Sequence, residues 1–250
     1  MKLEELTEGI KQTRLLYLTD SYMTDFHATI LRSCLEDRKS VYIVLDETIF
    51  HPKSGGQPTD TGAIYGSDFR VAVKKAMLVD GVAVHWGKPL EGEVKNEGIT
   101  GNIEWEPRYL YMRRHTAGHL FDHCLTVLNG KPVETLNSWL GDSCYVAYNG
   151  EPPPLNVLKT AEAMENQMIL RGGKVNIEEI SHAELVERAP DAPNIYRIPM
   201  LERYRIVTIE ECDPIPCAGT HLKDVKEIGS FSLKTVEKVS SGFRVYYDVK

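Results

Sequence analysis

Residues 69–86 read FRVAVKKAMLVDGVAVHW, two alternating apolar runs on either side of the dipeptide Asp80-Gly81. Alternation of this kind is typical of half-buried strands, and an Asp-Gly pair tolerates the positive φ angles of a tight hairpin turn. Upstream, strands are predicted over Arg14–Thr19, Phe26–Cys34 and Val41–Phe50, which are rich in Leu, Val, Ile, Tyr and Thr. Short strands joined by tight turns predict a small β-barrel or sandwich.

The second part of the chain follows a different pattern. Glycines and charged residues interrupt the strands between Gly87 and Pro107, and we place a domain boundary there, with one domain over residues 1–95 and another over 96–250. Amphipathic helices are predicted over Tyr109–Leu128 and Leu155–Leu170, with strands following them. The predicted fold class is therefore α+β, a small N-terminal β-barrel followed by an α+β domain with an antiparallel sheet.

Composition is that of an ordinary globular protein. Of its 250 residues 42% are hydrophobic and 26% are charged, which disfavours a disordered or fibrous chain. The net charge of −7 disfavours a protein that coats nucleic acid non-specifically. No apolar run reaches the ~20 residues of a membrane span. The N-terminus also lacks a signal-peptide pattern, so we expect a cytoplasmic protein with no membrane partner.

Two pairs of metal-binding residue types fall in the second domain. His115 and His119 are four residues apart on the predicted helix, with His123 one turn further, and Cys217 and His221 share a segment stiffened by prolines. Thiolate and neutral imidazole are ligands that suit zinc. The four side chains His115, His119, Cys217 and His221 therefore predict a tetrahedral zinc site. The five cysteines are odd in number and scattered, so those outside this site are interpreted as thiols.

Other interpretations of these residues are weaker. The histidines face away from the apolar stripe of the helix, so without a metal they would form a solvated polar face. Zinc peptidases require glutamate directly after the first histidine, where Thr116 stands. Cys212 offers a competing pair with Cys217, but two prolines lie between them, and Cys212 ranks below His221 as a ligand.

Two short motifs in the second domain are similar to those of a known family. His115-Thr-Ala-Gly-His119 and Cys217-Ala-Gly-Thr-His221 resemble the paired HxxxH and CxxxH motifs of the alanyl-tRNA editing domain, found in alanyl-tRNA synthetases and in free-standing AlaX-type proteins. Glu227-Ile228-Gly229 and the glycine-rich stretch Ser54–Gly62 resemble two further segments of that family. Ala218 and Ser54 depart from the usual glycines without removing a ligand. With no synthetase-like module upstream, we expect a medium-length, free-standing editing protein.

The resemblance implies a zinc-dependent hydrolase acting in trans. It would cleave the ester that joins serine, or glycine, to a mischarged alanine tRNA. Gly55, Gly56 and Gln57 would then lie close to the end of the tRNA, although Gly55-Gly56 also fits a plain hairpin turn. No side chain stands out as a general base; His123 is the nearest candidate for a catalytic residue, and a substrate hydroxyl is another.

The resemblance also suggests how serine is distinguished from alanine. Thr135 falls where the family places a serine-sensing threonine. A site that hydrogen-bonds the serine hydroxyl disfavours alanine, which would leave that polar group unpaired. The alternative is a strand threonine with no role in binding.

Two other functions fit the same residues. Four protein ligands would close the zinc tetrahedron, as in a tRNA- or protein-binding module with a structural zinc. A threonyl-tRNA editing enzyme has a similar motif pattern, but the glycine-rich motif favours the alanyl system. Oligomeric state is not indicated by the sequence. Candidate cations for contact with tRNA are Arg113, Arg114, Arg171, Lys174, Lys234, Lys238 and Arg244.

Overall fold

The computed structural model describes residues 3–37 and 39–250. These residues form two compact units. The first contains the described residues up to Ser54 together with Pro58–Tyr109, and the second contains Gly55–Gln57 and Leu110–Lys250. The glycine-rich motif is thus shared, because its Gly-Gly-Gln part is counted in the second unit and its end in the first.

The first unit is a β-barrel with one short helix. Six strands close it in the order β2-β3-β7-β6-β5-β8, which confirms the small barrel predicted from the sequence. Strands β1 and β4 form a separate parallel pair. The elements are α1 (Leu3–Thr7), β1 (Arg14–Leu15), β2 (Asp25–Leu35), β3 (Val41–Leu45), β4 (Glu47–Thr48), β5 (Gly62–Tyr65), β6 (Arg70–Val79), β7 (Val82–Glu91) and β8 (Gly98–Ile103).

The hairpin β6–β7 turns where the sequence predicts. Val79 is paired with Val82, and the two residues between them, Asp80 and Gly81, have φ angles of 50° and 81°. Positive φ at both central residues is the geometry that matches the right-handed twist of the strands. The alternating apolar residues of these strands then fill the barrel interior, where Val73 and Ala76 are fully buried.

Two sequence predictions differ from the structure in this unit. The strand predicted over Arg14–Thr19 ends at Leu15, because Leu16–Leu18 form a 3-10 turn in which the Leu16 carbonyl accepts the amide protons of Thr19 and Asp20. The predicted domain boundary after residue 95 lies before β8, whereas β8 pairs with both β2 and β5 to close the barrel. Barrel closure therefore keeps this strand in the first unit.

A buried ion pair joins the end of the glycine-rich motif to Arg108 within the same unit. Both side chains are almost fully inaccessible, and Arg108 Nε donates to Asp60 Oδ1 over 3.0 Å. The guanidinium also donates to the carbonyl oxygens of Ser21 and Ile49, over 3.0 Å and 2.6 Å. The amide of His51 donates to the other Asp60 oxygen. Sequence reasoning missed this pair, because neither residue has a partner nearby in the chain.

The second unit is α+β, as predicted. Its antiparallel sheets have the orders β14-β15-β10-β9 and β11-β12-β13. The elements are α2 (Trp105–Asn129, whose start belongs to the first unit), β9 (Thr135–Trp139), β10 (Tyr145–Tyr148), α3 (Leu155–Arg171), β11 (Val175–Ser181), α4 (His182–Arg188), β12 (Arg203–Ile209), β13 (Ile215–Pro216), β14 (Phe231–Val239) and β15 (Gly242–Val249).

Helix α2 is buried both on its apolar side and on the side that carries the histidines. Phe121 is buried and stacks on Phe231 of β14, with ring centroids 5.0 Å apart. On the histidine side, His115 is 8% exposed and Thr116 is completely buried. The solvated polar face considered as an alternative is therefore wrong, because the chain around His221 packs against that side. Among residues 3–37 and 39–250, no helix is both long enough and apolar enough to cross a membrane.

Candidate metal centre

Four side chains of the second unit converge on one point. One ligand atom each from His115, His119, Cys217 and His221 lies within 4.8 Å of the others. The Cys217 Sγ is 3.4 Å from Nε2 of His115 and 3.4 Å from Nε2 of His221. His115 and His119 occupy successive turns of α2, so their rings project to the same side of the helix. The structure thus brings together the four ligands proposed from the sequence.

The donor set fits zinc. Three imidazoles and one thiol are ligands that zinc takes in tetrahedral sites, where bonds of about 2.0–2.3 Å set the ligand atoms about 3.3–3.6 Å apart. Both thiol–imidazole distances lie in that range. Burial lowers the pKa of His119 to about 4, so this imidazole is neutral at pH 7, the state that a ligand needs.

Burial also raises the pKa of the Cys217 thiol. Three features oppose this effect: the Gly219 amide, which donates to the sulfur over 3.4 Å, and the positive charges of Arg205 and Arg197. A bound cation would favour the thiolate further, because a coordinating thiol loses its proton.

The residues between the ligands hold them in place. Thr116 Oγ1 accepts the Leu222 amide proton over 3.2 Å and lies 3.2 Å from Nδ1 of His221. A ring that binds metal through Nε2 carries its proton on Nδ1, so Thr116 is positioned to orient His221. Gly219 approaches so closely that an added Cβ would overlap the His115 ring. Ala218, by contrast, does not have the positive φ that would require glycine, so its backbone accepts alanine.

Gln57 contacts the metal segment through both atoms of its amide. Its Nε2 donates to Thr220 Oγ1 over 2.9 Å, and its Oε1 accepts the Thr220 amide proton over 3.1 Å. Both residues are completely buried. This places Gln57 on the backbone between Cys217 and His221. The sequence-based prediction that Gln57 meets the substrate stays a prediction.

Gly55 and Gly56 lie along the end of β9. Leu140 donates its amide proton to the Gly56 carbonyl over 2.9 Å, and the Ser138 hydroxyl donates to the Gly55 carbonyl over 3.2 Å. Gly56 has a φ of 85°, and an added Cβ would strike the Ser138 carbonyl. Glycine is therefore required at position 56 by close backbone packing. Their proposed proximity to tRNA stays a prediction.

Thr135 begins β9 and is 4% exposed. Its amide and hydroxyl both donate to the Pro193 carbonyl, over 2.7 Å and 3.0 Å. Arg197 Nη2 in turn donates to the Thr135 hydroxyl over 2.7 Å. Thr135 is thus a strand residue, as in the alternative interpretation, but its hydroxyl belongs to a network that includes a charged group.

His123 and His119 line one cavity of about 100 Å³. Its other walls include Thr126, Pro193 and Cys212. Burial lowers the pKa of His123, and the negative charges of Asp213 and Glu211 oppose this shift, so the imidazole is neutral at pH 7. A neutral imidazole beside the metal cluster can accept a proton. Cys212 lines this cavity and is absent from the group of four ligand atoms found among the described residues.

Similarity to known proteins agrees with this geometry. The chain is 32% identical over 248 residues to the alanyl-tRNA editing protein AlaX-M of Methanosarcina barkeri, covering 94% of this chain and 98% of that protein. It is 33% identical over 216 residues to AlaX-L of Pyrococcus horikoshii, covering 86% of this chain and 52% of that protein. The chain belongs to the AlaX family of alanyl-tRNA editing proteins.

Longer relatives contain the same region as one part. The chain is 30% identical to the alanine–tRNA ligase of Pyrococcus abyssi over 254 residues, which is 95% of this chain and 26% of the ligase. It thus spans about half of the AlaX-L relative and about a quarter of the ligase. Residues 8–107 match the family described as tRNA synthetases class II (A), and residues 204–246 match the threonyl and alanyl tRNA synthetase second additional domain.

For this AlaX family member, two of the cations proposed for tRNA contact are engaged inside the protein. Arg114 is buried, donates to the Leu140 and Gly141 carbonyls over 2.9 Å and 2.7 Å, and pairs with Asp248. Arg113 donates to the Ile228 carbonyl over 3.1 Å. Both arginines support the fold here, which a sequence count of charges does not reveal.

Proposed function

We propose that this chain is a zinc-dependent aminoacyl-tRNA hydrolase that removes serine, and also glycine, from mischarged alanine tRNA in trans. The observation that carries the proposal is the cluster of three imidazoles and one thiol beside a cavity that His119 and His123 both line. Family membership supplies the substrate class, since the related proteins are named for alanyl-tRNA editing.

The residues have separable tasks in this proposal. His115, His119, Cys217 and His221 hold the zinc, which when bound supplies a positive charge that polarises the ester or a water molecule. His123 is neutral and half-buried, so it can accept a proton within the cavity. Thr116 orients His221, and Gln57 fixes the backbone between the two ligands of the second motif.

In this proposal, Thr135 makes the enzyme remove serine in preference to alanine. Its hydroxyl offers a hydrogen-bonding position that a serine side chain can use and that alanine leaves unused. Gly55 and Gly56 help indirectly, because their backbone holds the far end of β9, the strand that begins at Thr135.

A structural zinc in a tRNA- or protein-binding module is the second candidate. The observation in its favour is that four protein ligands are sufficient to fill a tetrahedral zinc ion, whereas catalytic sites keep one position for water or substrate. A threonyl-tRNA editing activity is less well supported, because the similar proteins of comparable length are named for alanyl-tRNA editing.

Deacylation assays separate these candidates. Purified protein is incubated with alanine tRNA charged with serine, glycine or alanine, before and after a chelator removes zinc and after zinc is restored. The hydrolase proposal predicts rapid loss of serine and glycine, slow loss of alanine, and dependence on zinc. Tight tRNA binding without deacylation would favour the structural-zinc candidate, and preference for serine on threonine tRNA would favour the threonyl system.

Cys217→Ala tests the metal site itself. We expect the variant to lose most of its bound zinc and its deacylation, since it removes the one thiolate ligand. Metal analysis of the purified protein measures the zinc content. Cys34→Ala, which removes a thiol from the barrel, is the matched control and should retain zinc. Equal zinc in wild type and Cys217→Ala would remove Cys217 from the site.

A further inference from the structure

Two neighbouring groups determine where the hydroxyl proton of Thr135 points. Arg197 Nη2 lies 2.7 Å from Thr135 Oγ1, and the Pro193 carbonyl oxygen lies 3.0 Å from the same atom. A guanidinium can only donate and a carbonyl can only accept, so the Thr135 proton points to Pro193. One lone pair remains on the oxygen. Thr135 in this network can accept one more hydrogen bond and cannot donate one.

Arg197 reaches this buried hydroxyl from an exposed turn. The 3-10 turn Ile195–Arg197 leaves Arg197 exposed, whereas Thr135 is 4% exposed. The chain before the turn is anchored, because Asn194 Nδ2 donates to the Pro216 carbonyl over 2.6 Å, directly before Cys217. Arg197 is therefore carried by a segment bonded both to the start of β9 and to the metal-binding segment.

The surroundings keep the guanidinium charged. Partial burial of the guanidinium lowers the pKa of Arg197, while Asp122 and Cys217 raise it when they are ionised. Because the ordinary pKa of arginine is far above 7, the guanidinium stays charged and remains a hydrogen-bond donor at any physiological pH. The same segment supplies Asp191 and Pro193 to the wall of the cavity that His119 and His123 line. Pro193, the acceptor in the network, therefore also borders the proposed substrate cavity.

We propose that Arg197 is a positioning residue for serine recognition, acting through Thr135. By donating to Oγ1 it fixes the hydroxyl as an acceptor, so that the serine side chain of the substrate donates its proton to Thr135. This inference rests on the proposed function of the same site. Glycine has no hydroxyl to donate, so glycine removal does not depend on the orientation of Thr135.

The test is a double-mutant cycle with Arg197→Met and Thr135→Val, read as the ratio of serine to glycine deacylation. Each single variant should lower that ratio by about two- to tenfold, the effect of one net hydrogen bond. In the Thr135→Val background, Arg197→Met should change the ratio no further, because the two residues act as one unit. Arg197→Lys, which keeps a charged donor, should give a ratio between wild type and Arg197→Met.

Arg188→Met is the matched control, since Arg188 lies on the neighbouring helix α4 and pairs with Glu178 at the surface. It should leave the ratio unchanged. Equal losses of serine and glycine removal in Arg197→Met, or a further fall of the ratio in the double variant, would overturn the role of Arg197 while leaving the hydrolase proposal intact. Absence of deacylation in wild-type, zinc-loaded protein would instead refute the proposed function.

Discussion

Replacing Gln57 by leucine distinguishes two possible roles of this residue: holding the segment Cys217–His221 in place, or contacting the substrate. Leucine is similar in size but removes both amide contacts to Thr220. The Thr220 amide proton is then buried without the acceptor that Gln57 provided, which costs about 1–3 kcal/mol. No metal bond holds the zinc-free segment, so we expect it to relax towards water and the cost to fall on the zinc-bound state. We therefore expect zinc to bind about 5- to 150-fold more weakly.

A competition titration against a chromophoric zinc chelator measures this change directly. Gln167→Leu is the matched control, because Gln167 is exposed on α3 in the same unit, and it should bind zinc as wild type does. If Gln57→Leu keeps wild-type zinc affinity but loses deacylation of serine-charged tRNA, the segment-holding role is refuted. Gln57 would then contact the substrate, as the family resemblance implies.

Three further variants test other parts of the structure. Arg108→Met should lower the free energy of unfolding by about 3–5 kcal/mol, measured by chemical denaturation, because it leaves the buried Asp60 carboxylate without its cation. Gly219→Ala should lower zinc content in metal analysis, since the new Cβ overlaps the His115 ring. Burial lowers the pKa of His85 to about 4. The free energy of unfolding should therefore fall as the pH drops from about 6.5 to 4, and His85→Leu should flatten that fall.

The sign of the His85 effect follows from proton uptake. Above pH 6.5, the ordinary pKa of histidine, the imidazole is mostly neutral in both the folded and the unfolded state. As the pH falls, the unfolded chain takes up a proton first, so the folded state loses stability by up to about 1.4 kcal/mol per pH unit. A wild-type curve that stays flat between pH 6.5 and 4 would contradict the buried neutral state.

Arg108→Met and Gly219→Ala each have a matched control variant. Arg14→Met breaks an ion pair whose arginine is 71% exposed, and it should change stability by less than about 1 kcal/mol. A similarly small loss in Arg108→Met would contradict the buried pair. Ala218→Gly should keep zinc, because it removes only a methyl group from a position where φ is not positive. Normal zinc in Gly219→Ala would show that the His115 ring can move aside.

Short stretches of sequence are enough to specify the local elements and the metal-binding residue types. The Asp80-Gly81 hairpin is encoded by two adjacent residues with positive φ, and the i, i+4 spacing puts His115 and His119 on one side of a helix whatever surrounds it. These features depend on backbone geometry over a few residues. They could therefore be predicted without knowledge of the rest of the chain.

Tertiary structure alone decided which distant groups meet. Gln57 and Thr220 are 163 residues apart in the chain, and the Arg197–Thr135 bond spans 62 residues. The periodicity of the sequence predicts a helix or a strand, but it carries no information about which buried polar groups will pair across the fold. That choice is made when the elements pack, because each buried donor and acceptor must then find a partner away from water.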